Sequence, residues 1–184
     1  MYVVALCGLH GTGKSFISCE LVKRGWFLVN KRKIFRDLYI ASFQENDSML
    51  WEEWYRKEYE LHGGDHMMRM VLDYASEKNQ FKENQIVVVD AVHNMQEWRF
   101  ITETHRSTLV LVIAPKDVRY KRLSAVPDLA KLDMRRLQFV HETHEGQIQC
   151  LYGEAGWSIC NAGTNQYIQS QLNGLIMFVT KEVS

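Results

Sequence analysis

The octapeptide Gly8-Leu9-His10-Gly11-Thr12-Gly13-Lys14-Ser15 constrains this chain more than any other stretch. It matches G-x-x-x-x-G-K-[ST], a glycine loop that demands a strand before it and a helix after it. Both are legible. Tyr2 to Cys7 is an apolar, β-branched run of the kind buried on both faces of a parallel sheet. Ser15 to Arg24 follows a helical pattern, with Phe16, Leu21 and Val22 among its apolar positions, and stops at Gly25. The glycines allow φ > 0 and close approach of the backbone to a ligand. Successive N–H groups then converge on one concavity at the positive end of the helix, a place for phosphate. The Lys14 ammonium suits β- and γ-phosphates, and the Ser15 hydroxyl suits Mg²⁺. Gly8, Gly11, Thr12, Gly13, Lys14 and Ser15 are therefore the expected contacts to a nucleoside triphosphate with Mg²⁺.

With 184 residues the chain is long enough for one α/β domain and short for two of ordinary size. Lys plus Arg and Asp plus Glu are 22 each, so the formal net charge is zero. A grip on a long stretch of nucleic acid goes with a basic excess, so any polyanion contact is expected to be local to a cleft. Cys7, Cys19, Cys150 and Cys160 show no metal-ligand spacing and read as reduced thiols of a cytoplasmic protein. The apolar N-terminus lacks the basic start and small-residue cleavage site of a signal peptide. No window approaches the ~18 apolar residues of a membrane span.

Further short strands are expected at Trp26 to Asn30, Gln85 to Asp90, Thr108 to Ala114 and Trp157 to Cys160. Between the second and third strands, residues 31 to about 80 read as helical, with a break at His62-Gly63-Gly64-Asp65. Trp51, Trp54, Tyr55 and Tyr59 lie there at helical spacing, which favours packing onto the core over base stacking. A helix from Lys116 to Ser124, a charged helix through His141 and a last helix from Gln166 to Thr180 complete the pattern. Strands alternating with helices predict a single three-layer α/β domain, a parallel sheet of about five strands covered on both faces. Helical segments at about 31–82 and 124–150 would flank the site. Periodicity does not reveal the strand order.

Ile86-Val87-Val88-Val89-Asp90 is an apolar strand ending in a carboxylate, the form of the metal-side acid in phosphate-loop proteins. Asp90 then joins Ser15 at the metal; as the bland alternative it caps the helix from Gln96 onward. Whether it also orients an attacking group is open. His141-Glu142-Thr143-His144 is one residue short of H-E-x-x-H and reads as an exposed helix face.

With these residues in place, the chain resembles the nucleoside-monophosphate-kinase branch of the P-loop kinases, in particular dephospho-CoA-kinase-like and archaeal adenylate/cytidylate-kinase-like proteins. The resemblance implies that Arg36 and Arg69 face the substrate, Arg69 through the segment Tyr59 to Arg69. Asp90-Ala91-Val92-His93 stands for an Asp-Gly-x-Arg pattern, which puts His93 at a substrate position. Arg119 and Arg122 resemble the basic pair that opens a lid, Arg119 toward the nucleotide and Arg122 toward the transferred group. Asn161-Ala162-Gly163-Thr164 is similar to the turn beneath the nucleotide base, with Gly163 against it. Lys33 stands where relatives often carry aspartate, and the lid between Arg122 and Arg135 offers only Lys131, with Arg135 or Arg136 beyond. The resemblance implies a Mg²⁺·ATP-dependent phosphotransferase with Lys14, Asp90 and Arg122 as its catalytic residues. Its acceptor would be a small nucleotide or nucleotide-like molecule, with dephospho-CoA or a modified nucleotide in DNA as variants. A regulatory ATPase and an inert P-loop scaffold remain the rivals.

Overall fold

A computed structural model of the chain describes residues 1–42, 50–125 and 148–183. Five parallel strands form one sheet: β1 (Tyr2–Cys7), β2 (Phe27–Val29), β3 (Ile86–Val89), β4 (Arg106–Ile113) and β5 (Trp157–Cys160). Their order is β2-β3-β1-β4-β5. The helices are α1 (Lys14–Val22), α2 (Lys31–Ser42), α3 (Trp51–Asn79), α4 (Met95–Thr104), α5 (Lys116–Ser124) and α6 (Asn165–Val183), with a short 3₁₀ turn at Gln149–Glu154. The predicted charged helix and the His141–His144 face lie outside the described residues.

Strand β1 shows how the two layers arise from period two. Tyr2, Val4 and Leu6 pack with Ile17 and Leu21 of α1 and with Ile168, Leu172, Leu175 and Val179 of α6. Val3, Ala5 and Cys7 point the other way, into a larger core with Phe35 of α2, Trp54, Tyr55, Met67 and Met68 of α3, and Trp98 and Ile101 of α4. A strand buried on both faces must be apolar throughout, as this one is. The chirality of βαβ units makes the same point about the helices. From β1 the chain runs through α1 to β2 on one side; from β3 it runs through α4 to β4 on the other. Right-handed crossovers in opposite directions place their helices on opposite faces.

The aromatic stripe packs as expected. Trp54 and Tyr55 are buried, Phe35 meets both edge-on at centroid distances of 6.4 and 5.2 Å, and Trp51 stacks on Tyr55 at 5.5 Å. The predicted break in α3 is real: Gly63 has φ 78°, ψ 173°, non-helical within the run. No helix among the described residues is long and apolar enough to cross a membrane. All four cysteines are free. Burial pushes the Cys7 thiol up to about 12 against the opposing charge of Lys14, so it stays protonated and inert.

Candidate functional site

The strand order puts the glycine loop at the C-terminal end of β1, the central strand, where successive connections leave in opposite directions. In an open α/β sheet that reversal leaves a crevice outside the strand ends, where ligands bind. The loop has the backbone its glycines permit: φ is 139° at Gly8, 78° at Gly11 and 89° at Gly13. A Cβ at Gly8 would lie 2.2 Å from the Val112 carbonyl oxygen, and one at Gly13 would lie 2.1 Å from Asn161 Nδ2. Gly13 also precedes the first turn of α1, which has no side-chain cap and no acidic residue. A helix N-terminus left this way is poised for an anion.

The loop's carbonyl groups are held from outside. Arg119 Nη1 donates to the His10 oxygen at 3.2 Å. Arg122 Nη1 donates to those of Gly11 and Thr12, each at 3.3 Å, and its Nη2 to the Asn161 oxygen at 2.8 Å. Asn161 Nδ2 donates to the Thr12 oxygen at 2.7 Å. Lys14 Nζ folds back onto the Gly8 oxygen at 2.6 Å and the Leu9 oxygen at 3.3 Å. Each peptide carbonyl opposes its own N–H in direction, so engaging these carbonyls also fixes the amides, and that of Thr12 closes a turn onto the Leu9 oxygen at 3.4 Å. α5 and the turn after β5 thus shape the P-loop. Arg119 and Arg122, expected at the nucleotide and the transferred group, are placed here on the loop's own backbone.

Asp90 stands one residue beyond β3. Its Oδ1 accepts the N–H of Lys31 at 3.1 Å, so it anchors the first residue of α2. It does not cap α4: Asn94 does, accepting the Glu97 N–H at 2.9 Å. Burial pushes the Asp90 carboxyl above the usual carboxylate range, opposed by the Lys31 N–H and by the charges of Lys31, Lys14 and Arg32. Lys14 and Asp90 therefore share one electrostatic neighbourhood. A carboxyl with a raised native pKa binds its proton more readily folded than unfolded. Its contribution to stability is then greatest in acid, and declines as pH rises from the unfolded value through the raised native one. Asp90→Asn keeps an oxygen for the Lys31 N–H and should raise the melting temperature of the ligand-free protein at pH 7. The advantage should fade toward about pH 4, near the unfolded carboxyl value. A variant that melts lower than wild type at pH 7 would contradict this account.

The other predicted residues are dispersed. Arg36 is exposed on α2, and Ser15 is exposed in the first turn of α1. Arg69 of α3 lies over the Phe100 ring of α4 at 4.9 Å. His93 is half-buried, its N–H donating to Glu97 Oε2 at 2.9 Å. Gly163 is exposed, and a Cβ there would meet the Tyr167 ring at 2.8 Å. Lys131, Arg135 and Arg136 lie outside the described residues. Beside the kink, Tyr59, Glu60, Gly63, Met95 and Gln96 line a cleft of about 450 Å³. Gln96 Oε1 accepts the Gly64 N–H at 2.8 Å, which ties the kink to the start of α4.

Two residues escaped the sequence reading. Lys31 and Glu97 form an ion pair at 2.5 Å, buried between α2 and α4. The sequence carried a signal for one of them: Asn94-x-x-Glu97 has the spacing of a capping box. Here the glutamate reaches one residue further back than in that motif, to the His93 N–H. Nothing local marks Lys31, whose partner is distant in sequence.

A P-loop at the switch point of a β2-β3-β1-β4-β5 sheet, with an acid at the end of β3, defines the fold of the P-loop nucleoside-monophosphate-kinase-like proteins. Residues 4–150 match the model of the family described as an AAA domain, and the chain belongs to that family. A UPF0200 protein of Sulfurisphaera tokodaii is 22% identical over 121 residues, 66% of this chain. The match spans less than two thirds, 64%, of that relative's own length. Among solved structures, dephospho-CoA kinase from Campylobacter jejuni matches with a TM-score of 0.58 and 13% identity, covering 100% of both chains. Shikimate kinase from Bacteroides thetaiotaomicron matches with a TM-score of 0.57 and 13% identity, covering 97% of this chain and 98% of its own. At such identities the likeness is one of fold.

Proposed function

We propose that this chain is a Mg²⁺·ATP-dependent phosphotransferase acting on a nucleotide or nucleotide-like acceptor. The observation that carries the reading is the cradle at the end of β1. There Gly8, Gly11 and Gly13 let the loop lie so close to Val112, Arg119 and Asn161 that any Cβ would collide with them, and an uncapped helix N-terminus lies beside Lys14 and Asp90. The donor set fits a triphosphate with its metal. The amides of Gly11, Gly13, Lys14 and Ser15 and the Lys14 ammonium would hold phosphate oxygens; the Ser15 hydroxyl and the Asp90 carboxylate would hold Mg²⁺. Mg²⁺·ATP, when bound, supplies the transferable phosphoryl group and the charge of the metal.

What the chain contributes is position and electrostatics. Arg119, Arg122 and Asn161 hold the loop's carbonyls and so fix its backbone before an anion arrives. The cleft of Tyr59, Glu60, Gly63, Met95 and Gln96 opens at the start of α4, just after Asp90–His93, and supplies a place for the acceptor.

One observation favours a second reading, a regulatory ATPase that transfers to no small molecule. Phosphoryl transfer needs cationic charge on the equatorial oxygens. Among the described residues, Arg119 and Arg122 are engaged on loop carbonyls and Arg69 on Phe100.

The deciding experiment follows ATP consumption with Mg²⁺ against nucleoside monophosphates, their deoxy and modified forms, dephospho-CoA and DNA oligonucleotides. A productive acceptor should raise turnover by about 100-fold or more over water alone, the gain expected from orienting an acceptor. Lys14→Ala should erase that gain. Slow turnover indifferent to every acceptor would favour the regulatory ATPase.

A further inference from the structure

The Lys31–Glu97 pair lies where the phosphate-loop reading has no use for it. Lys31 opens α2 and Glu97 sits in the first turn of α4; their side chains are 4% and 0% exposed, with Nζ and Oε1 2.5 Å apart. Both residues also grip the loop between β3 and α4. The Lys31 N–H donates to Asp90 Oδ1 at 3.1 Å, and Glu97 Oε2 accepts the His93 N–H at 2.9 Å. Between those two points Val92 N–H donates to the Leu6 oxygen at 2.8 Å, which ties the loop to the end of β1. Asn94, wholly buried, fixes the start of α4 through the Glu97 N–H. The loop carrying Asp90 is thus bracketed on one side by α2, on the other by α4 and from below by β1.

Stability alone is a poor explanation for the pair. Desolvating two charges offsets most of their attraction, and well-packed apolar residues of similar volume often serve as well or better. A contact that sets geometry is a different matter. We propose that Lys31 and Glu97 are positioning residues. Their pairing sets the spacing of the N-termini of α2 and α4, and through it the direction in which the Asp90 carboxylate faces the P-loop. The inference rests on the Mg²⁺·ATP reading of that site, with Asp90 on the metal side. Neither residue is assigned a contact to nucleotide; both act through Asp90 and its loop.

The test separates positioning from support by substituting the pair with apolar residues. Lys31→Met/Glu97→Leu should melt no more than about 10 °C below wild type, because the pair itself is often replaced neutrally and only the His93 N–H is left without its acceptor. Titration calorimetry with a non-hydrolysable ATP analogue, with and without Mg²⁺, supplies the readout. Metal-free affinity should stay within about twofold, since the P-loop is untouched. The gain in affinity on adding Mg²⁺ should shrink by about tenfold or more, the usual consequence of disturbing what orients a metal ligand. A folded double variant with the full Mg²⁺ gain would overturn the proposal. If the double variant does not fold, Glu97→Gln provides the same readout: it keeps an acceptor for the His93 N–H but leaves Lys31 without its counter-charge. An undiminished Mg²⁺ gain there would equally overturn it. Wild-type protein that binds the analogue with a Mg²⁺ gain but phosphorylates no acceptor would defeat the phosphotransferase reading alone. Wild-type binding indifferent to Mg²⁺ would overturn the positioning role, because Asp90 would then hold no metal.

Discussion

Lys14→Ala is expected to weaken Mg²⁺·ATP binding by about 100-fold or more, a loss of roughly 3 kcal/mol, in the range of a desolvated charge-assisted contact. Acceptor-dependent turnover should fall further, by about 1,000-fold, because charge on the transferring group grows toward the transition state. The same substitution removes the hydrogen bonds from Nζ to the oxygens of Gly8 and Leu9. Those tie the start of the loop to its end, and their loss should cost about 1–1.5 kcal/mol, or a drop of roughly 2–6 °C in Tm. Calorimetry for binding and a melting curve for stability separate the two effects. A Kd within threefold of wild type would remove the phosphate-binding role from this loop.

The second large effect is on folding itself. Gly8→Ala would drive a Cβ to 2.2 Å from the Val112 carbonyl oxygen, at a backbone φ of 139° that L-residues rarely adopt. Val112 cannot step aside. It belongs to β4 and is paired in register with Ile159 of β5, so the oxygen is backbone held by the sheet. Backbone strain and a main-chain clash together should cost about 3–5 kcal/mol, lowering Tm by roughly 10 °C or more in a chain of this size. Gly153→Ala is the control, since a Cβ there meets nothing within 4 Å and the melting temperature should hardly move. Similar melting of the two variants would show that the approach of β1 to β4 is looser than this geometry.

The contrast between these glycines marks how far the sequence carries. Gly8, Gly11 and Gly13 were legible because the motif is contiguous: loop, lysine and hydroxyl lie within a few residues of one another. The same locality made the strands readable, since burial on both faces leaves β1 no polar position, and it made the break at Gly63 readable. Asp90 was legible as the acid at a strand end. Its bond to the Lys31 N–H, and the capping of α4 by Asn94 instead, depended on which loop the sheet brought alongside.

The arginines show the opposite case. Arg119 and Arg122 carry the same side chain whether they meet a phosphate or a carbonyl oxygen, and nothing in their spacing distinguishes the two. Their engagement on the oxygens of His10, Gly11 and Thr12 follows from α5 being delivered beside the P-loop by the neighbouring strand. Arg69 likewise reads as a substrate residue by pattern, and is placed on Phe100 by the packing of α3 against α4.

By itself, then, the sequence determined the parts whose physics is local: the phosphate loop, the buried strands, the helix break and the acid that ends β3. Tertiary structure decided the β2-β3-β1-β4-β5 order, the outward engagement of the loop's carbonyls and the burial of Lys31 against Glu97. The reason is range. Backbone conformation and alternation are set by neighbours along the chain, whereas a charge finds its partner only after the sheet has brought distant segments together. Lys31 and Glu97 are 66 residues apart, and only the fold makes them a pair.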